Sequence, residues 1–221
     1  MALSHRLMAV LDLIYDCEIL TDIGTDHGLL PIEACNMGLC ERAIACDIGK
    51  GPLEVAKANI KAAGLSHRIE TRLGDGLKPL HISEVDCIVI SGMGGMRIWG
   101  ILSEGMSQAR QAKRLILQPQ HDTELLRRNL HKAGIEIEDE QIVREVVGGR
   151  QHFYVVIAAR YTGESFSWSE QEYFLGRFLI SKGGDDFSAF TQREKEKISV
   201  YMSQIRDKSA LQSAKERLNW L

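Results

Sequence analysis

Apolar positions recur along this chain at two different periods. Leu3, Leu7, Val10, Leu11 and Ile14 fall on one face at helical spacing after Ser4 as a cap, which predicts a first helix over 4–16. Five short apolar runs follow, at 18–23, 42–47, 69–73, 86–91 and 114–118. Between them lie helical patterns near 28–38, 51–63, 95–108 and 122–133. Strands alternating with helices predict an α/β fold, a parallel sheet with helices on both faces. Right-handed crossovers make it doubly wound. Two strand-like runs, 135–145 and 152–161, then flank Gly148-Gly149 and read as an antiparallel hairpin closing the sheet. The expected sheet has seven strands, six or so parallel and the last antiparallel.

The pattern changes again near Gly163, after which no strand period survives. Phe166, Tyr173, Phe174, Phe178 and Leu179 predict one helix, and Gly183-Gly184 breaks it. Phe190, Ile198, Tyr201, Met202, Ile205, Leu211, Leu218 and Leu221 predict a longer second one. The division expected is an α/β domain over 1–162 and a coiled-coil-like helical hairpin over 163–221, with Gly163–Ser169 as the link.

Composition narrows the classes. Of 221 residues, 44% are apolar and 26% charged, enough apolar surface to exclude disorder. No apolar run reaches the length of a membrane span. The N-terminal stretch carries acids and lacks the apolar core of a signal peptide. A cytoplasmic protein without a membrane partner is expected, with a monomer favoured. The five cysteines, Cys17, Cys35, Cys40, Cys46 and Cys87, form no C-x-x-C pair. They read as free thiols in a reducing compartment, and no metal site is expected.

Candidate chemistry gathers where strands end. The first strand runs into Asp22-Ile-Gly-Thr-Asp-His-Gly28. A dinucleotide site would show G-x-G-x-x-G there, so that pyrophosphate could rest on the helix start. That spacing is absent. Asp22 and Asp26 flank Gly24 instead, and two carboxylates repel pyrophosphate. They suit a cationic ligand bearing an ammonium and a sulfonium, and S-adenosylmethionine is such a ligand. The bland alternative is a βα turn with a capping aspartate. Asp47 ends the second strand, placed to accept from ribose hydroxyls. Asp75 and Gly76 follow the third, where a carboxylate can accept from an adenine amino group; a tight Asp-Gly turn is the plainer reading. Ser91-Gly92-Met93-Gly94-Gly95 follows the fourth and admits a flat ligand close to the backbone. Gln118 and Gln120 end the fifth, two amides suited to base edges. Three acids at the ends of three successive strands carry more weight than any one, since ligands bind at those ends.

In this order and spacing, Asp22–Pro31, Gly74-Asp-Gly-Leu77, Ser91–Gly95 and Leu117–Gln120 resemble the bacterial tRNA adenine-N1 methyltransferases that act on position 22. The opening Leu3-Ser-His-Arg6-Leu7 resembles the family's start, and the resemblance spans 3–160 with a helical tail beyond. It implies a class I methyltransferase sheet, S-adenosylmethionine as donor and N1 of a tRNA adenine as acceptor. It implies Asp22, Gly24, Asp47, Asp75, Gly76 and Gly92 at the donor, and Arg6, His27, Met93, Gly94, Gln118 and Gln120 at the acceptor. Asp26 is the expected catalytic residue, accepting from the adenine amino group as charge develops; the competing role is holding the donor's methionine end. Three positions depart from the family pattern. Leu29 stands where a tyrosine is usual, Gln120 where an asparagine is, and Asp47 where a glutamate is.

The rival readings are a small-molecule methyltransferase, a nicotinamide oxidoreductase and a non-catalytic RNA-binding protein. Net charge is −3, with no basic surplus to advertise RNA. The deficit lies before Gly163, where 18 Lys and Arg face 21 Asp and Glu; the tail is balanced at 9 and 9. Four of those acids are the strand-end aspartates. A modest basic patch is therefore expected, with Arg6, Arg97, Arg127, Arg128 and Lys132 as phosphate contacts and the tail helping to hold the tRNA.

Overall fold

The computed structural model describes residues 3–221. Helix α1 (His5–Asp12) is capped by Ser4, whose hydroxyl accepts from Leu7 N. Strands β1 (Ile19–Ile23), β2 (Arg42–Asp47), β3 (Ile69–Leu73), β4 (Cys87–Met93) and β5 (Arg114–Pro119) alternate with α2 (Leu29–Asn36), α3 (Lys50–Ala62), α4 (Gly95–Glu104), α5 (Met106–Gln111) and α6 (Thr123–Lys132). Strands β6 (Ile135–Val147) and β7 (Arg150–Tyr161) complete a seven-stranded sheet of order β3-β2-β1-β4-β5-β7-β6. The first five strands pair in parallel, and β7 runs antiparallel to both β5 and β6. This is the doubly wound sheet the alternation predicts.

Period-two alternation sends each central strand into two cores. Ile88, Ile90, Leu115 and Leu117 face one layer with α4 and α6, while Cys87, Val89 and Ile116 face the other with α1, α2 and α3. Strands buried on both faces need the near-continuous Val/Ile/Leu runs seen here. The β6–β7 hairpin turns on Gly148 and Gly149, both at positive φ (57° and 77°), which side chains resist and this tight turn requires.

Two predicted elements are interrupted. The helix expected over 95–108 breaks at Gly105, where a Cβ would lie 2.6 Å from Leu77 Cβ. The tail forms four helices instead of two: α7 (Glu170–Leu175), α8 (Arg177–Lys182), α9 (Asp185–Gln204) and α10 (Lys208–Asn219). The chain turns at Gly176 and again near Ile205–Asp207, so the antiparallel pair is α9 with α10. Trp168, Tyr173 and Leu179 are buried in the core layer of α4 and α6, so that layer continues past Gly163 into α8.

That junction closes over an ion pair. A bulge between Ile137 and Asp139 shifts the inward parity of β6 from odd to even residues, aiming Glu140 inside. Arg127 Nε donates to Glu140 Oε1 at 2.7 Å, and both side chains are buried (1% and 0% exposed). Arg127 Nη1 donates to the carbonyls of Tyr173 and Phe174 at the end of α7, and Phe178 N at the start of α8 donates to Glu140 Oε2. A Cβ at Gly176 would lie 2.7 Å from both charged groups. Arg127 is therefore not the phosphate contact the sequence predicts. Its helix position looks outward-facing until the bulge supplies an inward partner.

Candidate active site

Parallel register brings the carboxyl ends of β1, β2 and β4 to one rim, with Asp22 paired in position to Ala45 and Val89. Asp22 is 3% exposed. Its burial holds the carboxyl up at about 6, the Asp47 carboxylate pushes the same way, and the Thr25 hydroxyl opposes both. Gly24 follows at φ 77°, a conformation side chains resist, and a Cβ there would overlap the methyl of Met93.

The turn spends its own donors. Gly24 N and Thr25 N both donate to the Cys46 carbonyl, at 2.8 and 3.0 Å, and Gly28 N donates to Thr25 O at 3.0 Å. The turn is thereby fixed to the end of β2 by its main chain. With the carboxylates of Asp22 and Asp26 beside it, the turn suits a positively charged ligand better than a pyrophosphate.

Asp26 sits in the left-handed region at φ 50°, its side chain 69% exposed, with His27 Nε2 3.4 Å from Oδ2. Asn59 holds the His27 carbonyl, so the start of α2 is tied to α3. Asp47 uses Oδ1 to accept from Gly49 N at 2.7 Å. Asp75 is exposed and pairs with Lys78 at 2.6 Å.

Two cavities meet at this rim. One, about 280 Å³, runs from Gly24 past Asp47 and Asp75 to Gly76 and Met93. The other, about 300 Å³, is bounded by Arg6, Asp22, Thr25, His27, Leu29 and Gln120. Both include Gly24, Asp26, Ser91 and Gly92. The structure thus gathers most of the predicted donor and acceptor residues around one shared wall, and adds Thr25, Ser91 and Leu29.

Several expectations change. Gln118 does not face a base. It is wholly buried, its Oε1 accepting from Gly92 N and Arg6 Nη1, both at 3.0 Å, while Nε2 donates to Pro119 O at 2.9 Å. It fixes the bulge at Gly92 (φ 78°) between Ser91 and Met93. Met93 turns its methyl onto Gly24, on the Asp47 side of the rim. Gly94 lies against the ring of His121, which no spacing in the sequence marks as part of the rim. Arg128 is engaged by Glu124 and Glu170 and lies over the Tyr173 ring. Lys132 is exposed at the end of α6, while Arg97 lines the cavity of Asp47 and Asp75.

Known proteins share this sequence and fold. A family profile described as "Methyltransferase domain" matches residues 3–157. The tRNA (adenine(22)-N(1))-methyltransferase of Bacillus subtilis (strain 168) is 33% identical over 226 residues, covering 99% of this chain and 92% of that protein. The structure of Streptococcus pneumoniae Sp1610, a putative tRNA (m1A22) methyltransferase in complex with S-adenosyl-L-methionine, superposes with a TM-score of 0.88 at 31% identity, covering 99% and 97% of the two chains. M. capricolum TrmK in complex with S-adenosyl-homocysteine gives a TM-score of 0.83 at 26% identity, covering 100% and 96%. With a likeness that runs the length of the chain, tail included, the chain belongs to the tRNA (adenine(22)-N(1))-methyltransferase family.

Proposed function

We propose that the protein transfers the methyl group of S-adenosylmethionine to N1 of adenine 22 in tRNA. The observation that carries this reading is the shared wall of the two cavities: Gly24, Asp26, Ser91 and Gly92 border both. A donor lying across that wall, its nucleoside toward Asp47 and Asp75 and its amino-acid end toward Asp22, presents its methyl group to an acceptor entering beside Asp26 and His27.

The residues fit the donor. Asp47 keeps Oδ2 free for ribose hydroxyls because Oδ1 alone is tied to Gly49 N. Asp75 stands beside Gly76 for the adenine amino group, and Asp22 with the Gly24 turn faces the amino-acid end. When bound, S-adenosylmethionine supplies a methyl group already activated by the sulfonium.

N1 of adenine is a neutral lone pair, so no base has to create the nucleophile. The protein's work is orientation, which alone can supply much of the rate. As N1 takes the methyl group, positive charge spreads to the exocyclic amino group. Asp26, exposed to the cavity and held by its backbone at the rim, accepts from that amino group and stabilises the charge. His27, beside it, lines the acceptor wall. A duplex or stacked adenine cannot present N1, so the base must leave its stack to enter.

Affinity for the RNA comes from cations beyond the pocket. Gln120 borders a further cleft of about 550 Å³ that reaches the tail, where Arg193 and Lys197 share Glu194, Arg217 pairs with Glu124, and Phe153, Phe174 and Phe190 lie beside them, so that RNA phosphates compete with two carboxylates for three cations. Aromatic rings and guanidinium groups together suit unstacked nucleotides and their phosphates. No helix among the described residues is long and apolar enough to cross a membrane.

The test is incubation with unmodified bulk tRNA and methyl-labelled donor, followed by nucleoside analysis and mapping. The expected product is 1-methyladenosine at position 22. Label in a small molecule, a protein or another base overturns the reading.

A further inference from the structure

Two thiols meet inside the molecule, at the end of α2 away from the rim. The sulfurs of Cys35 and Cys40 are 3.7 Å apart, and the two residues are 2% and 3% exposed. Local structure sets this approach. Gly38 turns the chain back at φ 71°, with Gly38 N donating to Cys35 O and Leu39 N to Ala34 O, a Schellman turn. The turn brings Cys40 beside Cys35 just before β2 begins. Asn36, Met37 and Gly38, which join the two, are exposed.

Arg68, one residue before β3, ties the pair together. Its Nε donates to Glu41 O at 2.8 Å, Nη1 to Cys35 O at 3.0 Å and Nη2 to Cys40 O at 2.7 Å. All three acceptors are neutral carbonyls, so the guanidinium keeps its charge for an anion nearby. With Cys40 donating, the hydrogen bond between the thiols and then that charge hold the Cys35 thiol down at about 7, against its burial. The same contact, with burial, holds the Cys40 thiol up. One sulfur is disposed to ionise and its neighbour to stay protonated. Cys46, in the wall of the Asp47 cavity, is instead pushed up to about 12 by burial and by Asp22. Cys17 is pushed up by its contact with Cys87, by burial and by Asp86.

A thiolate beside a second thiol is the arrangement that peroxide converts to a disulfide. We propose that Cys35 and Cys40 form a reversible oxidation site, in which Cys35 attacks hydrogen peroxide and Cys40 closes the disulfide. In the first step the Cys35 S–O bond forms, the O–O bond breaks, and the departing hydroxide takes a proton to become water. In the second, the Cys40 sulfur attacks the sulfenic sulfur. The S–S bond forms, the S–O bond breaks, and the hydroxyl leaves with the Cys40 proton as a second water. The two thiols lose two electrons and the peroxide gains them. The sulfurs close from 3.7 Å to about 2.0 Å, and opening of the exposed turn at 36–38 admits the peroxide. The site is independent of the methyl-transfer reading.

The experiment treats the folded whole chain with hydrogen peroxide, quenches with catalase, alkylates the remaining thiols in urea and maps the peptides by mass. The expected product is a Cys35–Cys40 link, lighter than the dithiol by two hydrogens and reversed by dithiothreitol. Cys17 and Cys46 oxidise about tenfold more slowly or less. In Cys40→Ser, Cys35 stops at a sulfenic acid that dimedone traps. In Cys35→Ser, Cys40 reacts at least about tenfold more slowly than Cys35 does in the wild type. The wild-type map needs no substitution, so the test stands where a variant does not fold. The proposal is overturned if Cys35 and Cys40 stay alkylatable after peroxide, if a Cys17–Cys87 link forms in their place, or if their link forms only when peroxide is added in urea. A folded Cys40→Ser protein that leaves Cys35 a thiol overturns it equally.

Discussion

Arg127 and Glu140 meet at 2.7 Å with no exposure to water, 13 residues apart in sequence and on different layers of the fold. Removing one partner leaves a charge buried without its counterion, at a cost of about 3–5 kcal/mol. Arg127→Met is therefore expected to lower the urea midpoint sharply. The double variant Arg127→Met with Glu140→Leu is expected to recover most of the loss, because neither charge then needs hydration. Equilibrium unfolding of the three proteins checks this, and an additive double variant would contradict it.

Asp26→Asn separates catalysis from binding. Asparagine tolerates the left-handed backbone that Asp26 adopts at φ 50°, so the turn keeps its shape. The affinity for S-adenosylhomocysteine is expected to stay within about threefold of wild type. Turnover is expected to fall by about a hundredfold or more, the usual effect of losing a group that stabilises developing charge. Loss of donor binding would move Asp26 to the donor site.

Asp22 predicts a pH dependence with a definite sign. Burial raises its pKa from the ordinary 3.8 to about 6 in the folded protein. Over that window the folded state holds a proton the unfolded state has released. Its contribution favours the fold below pH 4 and is lost as pH rises through 6. Asp22→Asn is thus expected to be more stable than wild type at pH 7, by up to about 3 kcal/mol, with the gap closing near pH 4. Donor binding runs the other way. Only the ionised carboxyl attracts a cation, so wild-type affinity falls as pH drops through 6, and Asp22→Asn flattens that slope. Unfolding and calorimetry at pH 5, 6 and 7 distinguish the two trends.

The tail is tested by charge reversal, since deletion from Gly163 would strip the α7 and α8 groups that satisfy Arg127 and Glu140. Arg193→Glu with Lys197→Glu, both on α9, is expected to raise the KM for tRNA about tenfold or more near 0.15 M salt. It leaves the donor affinity unchanged and flattens the dependence of tRNA binding on salt. An unchanged KM would remove the α9 face from the RNA contact.

Much of this was legible in the residues. The central strands are read from apolar runs because a doubly buried strand admits little else, and the strand-end aspartates follow once the sheet is parallel. What escaped depends on contacts distant in sequence. The helix breaks at Gly105, where the backbone leaves helical angles (φ −104°, ψ 34°) and Leu77 leaves no room for a Cβ. The tail turns at Gly176, whose φ of 98° few side chains adopt and whose missing Cβ leaves room for Arg127 and Glu140. Gln118 looks like a base-reading amide at the rim, yet the bulge at Gly92 turns a donor toward it and Arg6 arrives from the first helix. None of these partners lies within a helical turn or a strand of its mate, so no local period could reveal them.

The Cys46 carbonyl, which receives both amides of the Gly24 turn, has a bearing on how this scaffold can diverge. Side-chain replacement can retune the contacts to ribose, adenine or the acceptor one residue at a time. It cannot delete a main-chain oxygen. The path of the Gly24 turn is thus inscribed in the peptide framework, and a lineage starting here changes the charge of its ligand by exchanging Asp22 and Asp26 with that path kept.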